Sequence, residues 1–294
     1  MQMHKATANI LVDALPYIRK FYGKTMVIKY GGNAMLSDEL KTKVVQDITL
    51  MKYIGIRPVI VHGGGPDITG FLKRVGKQAE FVSGLRVTDQ ETMEIVEMVL
   101  IGKVNSEIVN RLNQCGGQAI GLSGKDAGLI RATKKLAEIH KDGRVETADI
   151  GYVGEVKEIN AQALNDLLEK GYIPVVAPVG VGDEGESYNI NADYVAAEVA
   201  GALRAEKLLL LTDVEGIYKD YEDKSSFLSS LTETEALAYI DDGTISGGMI
   251  PKVEACLTAL TKGAKKTSII DGRLPHSLLL ELFTSQGIGT EIVR

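Results

Sequence analysis

Along most of the chain, short continuous apolar runs alternate with longer stretches whose apolar residues recur at helical spacing. The runs at 25–30 (TMVIKY), 57–63 (RPVIVHG), 118–124 (QAIGLSG), 172–180 (YIPVVAPVG), 207–214 (KLLLLTDV) and 266–272 (KTSIIDG) lack the alternating polarity of a half-exposed strand. They read as strands covered on both faces. Helical periodicity fills 37–54, 89–114, 160–170, 191–204, 232–240 and 251–263. Strand and helix in repeated alternation predict an α/β fold, an αβα sandwich with a mainly parallel central sheet. No Pro/Ser/Gly-rich linker interrupts the pattern, so any two lobes share one sheet.

Two segments stand outside this alternation. Residues 128–158 contain LIRATKKL and VETADIGYVGEVKEI around a DGR turn at 142–144, which predicts a small antiparallel appendage of β-hairpins. Residues 1–22 predict an amphipathic helix, with Ile10, Leu11, Ala14, Leu15, Ile18, Phe21 and Tyr22 on one face. That face packs either on its own domain or on a partner subunit, and Pro16 predicts a kink or break near the helix middle.

Composition narrows the function classes. The net charge of −6 over 294 residues argues against a general nucleic-acid binder. No run of about 18 apolar residues suggests a membrane span, and the N-terminus does not resemble a secretory signal. Cys115 and Cys256 have neither paired spacing nor nearby histidines, so they predict buried or half-buried free thiols rather than a disulfide or zinc site, as suits a reducing cytoplasm. Glycine is enriched, 32 residues or about 11% against a usual ~7%. The excess clusters at 31–32, 63–65, 116–117 and 247–248, just after apolar runs. Parallel sheets bind ligands at these carboxyl ends of strands, where glycine lets a ligand approach backbone.

The chemistry concentrates there. VIVHGGGPDI (59–68) ends a strand in three glycines before a helix, a backbone nest for phosphate or carboxylate oxygens. His62 within it is more often a satisfied structural histidine than a base. VIKYGGN (27–33) adds a cation: Lys29 interrupts an apolar strand and requires an anionic partner. SGGMIPKVEA (246–255) puts Lys252 in a first helical turn, which opposes the helix dipole unless an anion binds. YNINAD (188–193) brings Asn189, Asn191 and Asp193 to another helix start. Capping needs one of the three, which frees Asp193 to hold the lysine ammonium groups. LLLLTDVEGIY (208–218) is a buried strand followed by a polar turn along which a nucleotide could lie.

A P-loop is absent, since GLSGKDAG (121–128) has Ala119 and Asp126 where glycine and Ser/Thr belong. GVGDEG (180–185) matches the dinucleotide pattern but carries two acids and opens no helix, so it reads as a turn between strands. The inventory is backbone nests, two lysines, one acid and no evident nucleophile or metal set. It suits phosphoryl transfer, where positioning and charge neutralisation dominate. A carboxylate acceptor is already ionised at neutral pH and needs no general base.

These motifs, in this order, resemble the amino acid kinase family over almost the whole chain. GLRVTD (84–89) favours its N-acetyl-L-glutamate-phosphorylating branch over aspartate, glutamate, carbamate or uridylate kinases. The resemblance implies transfer of phosphate from ATP, carried with Mg²⁺, to the γ-carboxylate of N-acetyl-L-glutamate in arginine biosynthesis. Lys29 and Lys252 would stabilise the transferring group and Asp193 would orient them. Gly64, Gly65, Arg86, Asn189 and Asn191 would hold the acid, with Arg86 on its α-carboxylate. Gly31, Gly32, Asp213, Val214, Glu215, Gly216, Ile217, Tyr218, Thr244, Ile245 and Ser246 would line the nucleotide site. No metal ligands of the protein's own are implied.

The implied organisation is an oligomerisation helix at 1–22, an acetylglutamate-binding lobe at 23–187 and a nucleotide-binding lobe at 188–294. The N-terminal helix and the stretch 271–292 resemble those of arginine-inhibited hexamers (trimers of dimers). Tyr17, His276, Glu281 and Gly287 would then lie near L-arginine. Whether a PII-type signalling protein binds is left open. The rival readings are another kinase of this fold, an arginine sensor without catalysis, and an NAD-dependent oxidoreductase using GVGDEG.

Overall fold

The computed structural model describes residues 2–35, 37–141 and 144–294. The chain opens with α1 (Gln2–Phe21), β1 (Thr25–Tyr30), α2 (Asp38–Tyr53), β2 (Arg57–His62) and α3 (Gly65–Arg74). A short hairpin, β3 (Phe81–Val82) and β4 (Leu85–Arg86), precedes α4 (Gln90–Glu97), a π-helical segment (Met98–Asn105) and α5 (Ser106–Gln114). Next come β5 (Ala119–Ser123), β6 (Ile130–Lys134), β7 (Ala137–Lys141), β8 (Arg144–Ala148), β9 (Gly154–Ile159) and α6 (Ala161–Glu169). β10 (Ile173–Ala177), β11 (Val179–Val181) and β12 (Ser187–Asn189) lead to α7 (Ala192–Ala202) and β13 (Lys207–Thr212). The remainder is β14 (Ile217–Tyr218), β15 (Phe227–Leu228), β16 (Ser230–Thr232), α8 (Glu233–Asp241), α9 (Ile250–Lys262), β17 (Thr267–Asp271), α10 (Ser277–Leu282) and β18 (Thr290–Val293).

The central sheet has eight strands in the order β16-β18-β17-β13-β1-β2-β10-β5. It is parallel except at the β17–β18 pairing, where the chain turns back at one edge. Period-two alternation divides its side chains between two cores. Val27, Val59, Leu208 and Leu210 join α7 and α9 on one face. Met26, Ile28, Ile60 and Leu209 join α2, α4 and α5 on the other. Lys29 shares the parity of Val27, so its side chain leaves the sheet on the α7/α9 face.

Several expectations need correction. The run at 172–180 is two strands: β10 belongs to the central sheet and β11 to a second sheet ordered β12-β11-β6-β9, with Pro178 between them. Proline cannot donate to a ladder, so it marks the crossover. The stretch 89–114 is not uniformly α-helical, because its middle widens to π-helix. Helix α1 runs unbroken through Pro16. Its residues Ile10, Leu11 and Leu15 are exposed, while Tyr17 and Ile18 are half-buried and Phe21 is buried, so over residues 9–21 the packing on this chain is concentrated toward the helix end. Cys115 is exposed, and only Cys256 is the buried thiol expected.

The appendage at 128–158 does form antiparallel pairs, β6 with β9 and β7 with β8. The first two residues of its DGR turn lie outside the described residues. GVGDEG joins antiparallel β11 and β12, as a turn. No described helix is long and apolar enough to cross a membrane.

Candidate active site

Three elements deliver the charged centre. β1 carries Lys29 to its carboxyl end, α7 presents Asp193 in its first turn, and α9 presents Lys252 in its first turn. Asp193 receives both cations: Lys29 Nζ lies 3.0 Å from its Oδ1 and Lys252 Nζ 3.2 Å from its Oδ2. All three side chains are largely buried, at 11%, 8% and 20% exposure. Burial works against the Asp193 charge, yet the two ammonium groups outweigh it and hold the carboxyl below its usual range. The Asn191 side chain caps α7 by accepting from Asp193 N–H at 2.8 Å, which settles the backbone that aims the carboxylate. A Cβ at Gly31 would sit 3.1 Å from Lys29 Nζ, so a side chain there would press on the end of the lysine.

Two cavities meet at this ion chain. The first, about 260 Å³, is lined by Lys29, Gly64, Gly65, Arg86, Asn189, Asn191 and Asp193, together with Phe81 and Leu100. Helix α3 begins at its wall with Gly64 as N-cap and no side-chain cap, so its first amides are open to an anion. A Cβ at Gly64 would run into the Leu100 methyl of the π-helical segment, so any side chain there would have to displace Leu100. Arg86 is buried under the Phe81 ring, 4.7 Å from its centroid. Its Nη2 donates to Gly65 O at 3.0 Å and Thr69 Oγ1 at 2.8 Å, while buried Nη1 has no partner among the described residues. A buried guanidinium donor left open beside a cavity suits a carboxylate.

The second cavity, about 520 Å³, is lined by Asp213, Val214, Gly216, Ile217, Tyr218, Thr244, Ile245, Ser246 and Lys252, with Tyr221, Gly248 and Met249 added. It lies in the usual size range of small-molecule sites, roughly 300–1,000 Å³. Helix α9 starts at its wall without a side-chain cap, but the Met249 and Ile250 N–H groups bond back to Ser246 O and Gly247 O and Pro251 has none, so the Lys252 ammonium is the group that offers charge to an anion here. Of the expected nucleotide residues, Glu215 turns aside to accept from the Tyr218 hydroxyl. Gly31 and Gly32 line neither of these two cavities.

His62 is structural. It is fully buried, its Nδ1 is 2.7 Å from Gly63 O, and Asn105 Nδ2 lies 3.1 Å from its Nε2. Nδ1–H therefore donates to the carbonyl and Nε2 accepts. Burial pushes its pKa down to about 4, which keeps the ring neutral. The expected effector residues lie elsewhere. Tyr17 packs on Phe283 with ring centroids 6.1 Å apart, and His276 Nδ1 meets buried Asp47 Oδ1 at 2.5 Å. Glu281 pairs with buried Lys207 at 2.7 Å and accepts from Ile288 N–H at 2.8 Å, and Gly287 leaves room for that carboxylate.

Sequence reasoning missed Phe81, Leu100, Tyr221 and Met249 as lining residues. Phe81 stood in view, five residues before Arg86 and across the β3–β4 hairpin from it. Leu100 carries no local signal, since only the tertiary packing of the π-helical segment brings it over Gly64. Among the described residues, no three of His, Cys, Asp and Glu converge as a metal cage.

The chain is similar to known proteins over nearly its whole length. The chain is 62% identical over 286 residues to the acetylglutamate kinase of Pelotomaculum thermopropionicum, covering 97% of each protein. Among solved structures it is similar to N-acetylglutamate synthase from Neisseria gonorrhoeae complexed with coenzyme A and N-acetyl-glutamate. There the TM-score is 0.82 at 27% identity, over 98% of this chain and 63% of that one. The same synthase complexed with coenzyme A and L-arginine superposes with a TM-score of 0.78 at 26% identity, over 97% of this chain and 65% of that one. The chain thus spans less than two thirds of the synthase's length. The model of the amino acid kinase family matches residues 24–271, and the chain belongs to that family.

Proposed function

We propose that the protein transfers the γ-phosphoryl group of MgATP to the γ-carboxylate of N-acetyl-L-glutamate, giving N-acetyl-L-glutamyl 5-phosphate and ADP, as a step of arginine biosynthesis. The observation that carries this reading is the Lys29–Asp193–Lys252 ion chain standing between a small cavity with an unpaired guanidinium donor and a larger one that Lys252 itself lines.

In this reading the acid lies in the first cavity with its α-carboxylate on Arg86 and its γ-carboxylate toward Lys29. Asn189 and Asn191 border it. ATP lies in the second cavity, with its γ-phosphate reaching out toward Lys252 and Lys29, where Gly31 and Gly32 at the end of β1 would leave room for phosphate oxygens beyond the cavity lining. A carboxylate oxygen forms a bond to the γ-phosphorus as the bond from phosphorus to the bridging β,γ-oxygen breaks. ADP leaves with that electron pair. No proton moves, so no base is required. Mg²⁺ arrives on the nucleotide and neutralises phosphate charge. Lys29 and Lys252 screen the charge on the transferring group from both sides, and Asp193 keeps the two ammonium groups apart and aimed.

The same reading assigns acid binding to 23–187 and nucleotide binding to 188–294. It assigns the exposed apolar residues of α1 to association into a hexamer. It also includes inhibition by L-arginine near Tyr17, His276, Glu281 and Gly287, in keeping with the arginine complex of the similar synthase.

The test is ADP release from MgATP with N-acetyl-L-glutamate, glutamate, aspartate or UMP, each repeated with arginine. Activity confined to N-acetyl-L-glutamate and lowered by arginine supports the reading. Activity with another acceptor overturns the role given to Arg86. No ADP with any acceptor, alongside arginine binding, points to a sensor instead.

A further inference from the structure

We infer that Tyr221 is the wall of the larger cavity against which the nucleotide base stacks, with Lys224 as the residue that positions its ring. The inference rests on the nucleotide reading of that cavity given above. Tyr221 belongs to the segment between β14 and β15, and it lines the cavity while remaining 60% exposed. Its ring does not hang free. It packs edge-on against Tyr218, with centroids 5.8 Å apart and planes at 82°, and Tyr218 packs in turn on Phe227 at 5.2 Å. Lys224 Nζ sits 4.1 Å from the Tyr221 centroid and 4.5 Å from the Tyr218 centroid, so one ammonium joins both rings.

Lys224 is not a free cation waiting for phosphate. Glu215 lies 3.6 Å from its Nζ and also accepts from the Tyr218 hydroxyl. The cluster is therefore neutralised from within, and Glu215 has a task although it lines no part of the cavity. Lys252 makes the cationic part of the lining, whereas Val214, Ile217, Tyr218 and Tyr221 make an apolar and aromatic part. A nucleotide has the same polarity: phosphates for the first part and the flat, stackable face of a base for the second. An exposed ring held at a set angle by a neutral cluster is the group that can cover such a base.

The experiment uses the full-length protein and calorimetric binding of MgATP and of inorganic tripolyphosphate, which has the phosphates without the base. Tyr221→Ala should weaken MgATP binding at least ten-fold and leave tripolyphosphate binding unchanged. Tyr221→Phe should recover most of the loss, and Lys224→Met should fall between wild type and Tyr221→Ala. MgATP affinity unchanged in Tyr221→Ala would overturn the inference. Equal weakening of both ligands would also overturn it, because the ring would then serve the phosphates or the fold. A wild-type protein that binds neither ligand would overturn the nucleotide reading itself.

Discussion

Lys29 occupies a place in an otherwise apolar strand where a hydrophobic residue would pack without cost, so its function has to be sought in what meets its charge. Asp193 meets part of it and Lys252 competes for the same carboxylate, leaving one carboxylate between two cations. Lys29→Ala should lower kcat by about three orders of magnitude or more, in the range of lost transition-state electrostatics, with the circular dichroism spectrum retained. Unchanged turnover would remove Lys29 from the chemistry. Asp193→Asn keeps the shape but frees two buried cations. It should cost about 3 kcal/mol of stability as well as activity, at the low end for broken buried pairs because Lys252 is partly exposed. Urea unfolding checks that figure. Arg86→Lys keeps a cation but loses the fork, so KM for the acid should rise at least ten-fold while KM for MgATP holds. These residues were legible in the sequence because each is a charge or glycine where local rules predict none. Leu100, Tyr221 and buried Asp47 were not, because nothing adjacent in the chain distinguishes them from ordinary core or surface positions.

At the scale of elements, the π-helical segment is the feature that periodicity could not foresee. It turns Asn105 inward, where Nδ2 reaches both His62 Nε2 and Val175 O, the latter at 2.9 Å. The side chain thereby ties β2 to β10 beneath the glycine turn. Gly121 on β5 makes room for it, since a Cβ there would overlap Asn105 Oδ1. Gly121→Ala should therefore destabilise by about 1–3 kcal/mol, as overpacking does. It should also raise KM for the acid by shifting the 63–65 turn, and a fully stable variant would show that the contact relaxes freely. The core strands and most helices were legible because both faces of the sheet are covered. The split of 172–180 was not, because β10 and β11 are equally apolar and only Pro178 marks the change of sheet. The apolar face of α1 was legible as a pattern, but a pattern does not say what covers it. Removing residues 1–22 should lower the mass measured by light scattering and weaken arginine inhibition, and a truncated protein of unchanged mass would count against the proposed role of α1.

Across the whole molecule, two buried titratable groups give stability opposed pH slopes. Burial pushes Asp47 up from 3.8 to about 6, so its folded form holds the proton more tightly than the unfolded chain. That contribution is present below about pH 4 and is lost as pH rises through about 6. Burial pushes His62 down from 6.5 to about 4, so its contribution is present above about 6.5 and is lost as pH falls through about 4. Between these limits the two largely offset. Asp47→Asn removes one slope. Relative to wild type, the variant should gain stability from pH 4 to pH 7, by up to about 3 kcal/mol for two pK units. Urea midpoints at the two pH values read this directly, and a difference that does not change with pH would exclude Asp47 as the titrating group.

The ion chain has a consequence for how the protein is handled. A centre with two ammonium groups on one carboxylate, and a guanidinium with an open donor nearby, is short of negative charge when empty. Any oxyanion that fits completes it, and whatever binds the folded form alone raises its melting temperature by mass action. Phosphate and sulfate buffers should thus act as weak competitors of both substrates and as thermal protectants at once, and neither effect should survive in Lys29→Ala.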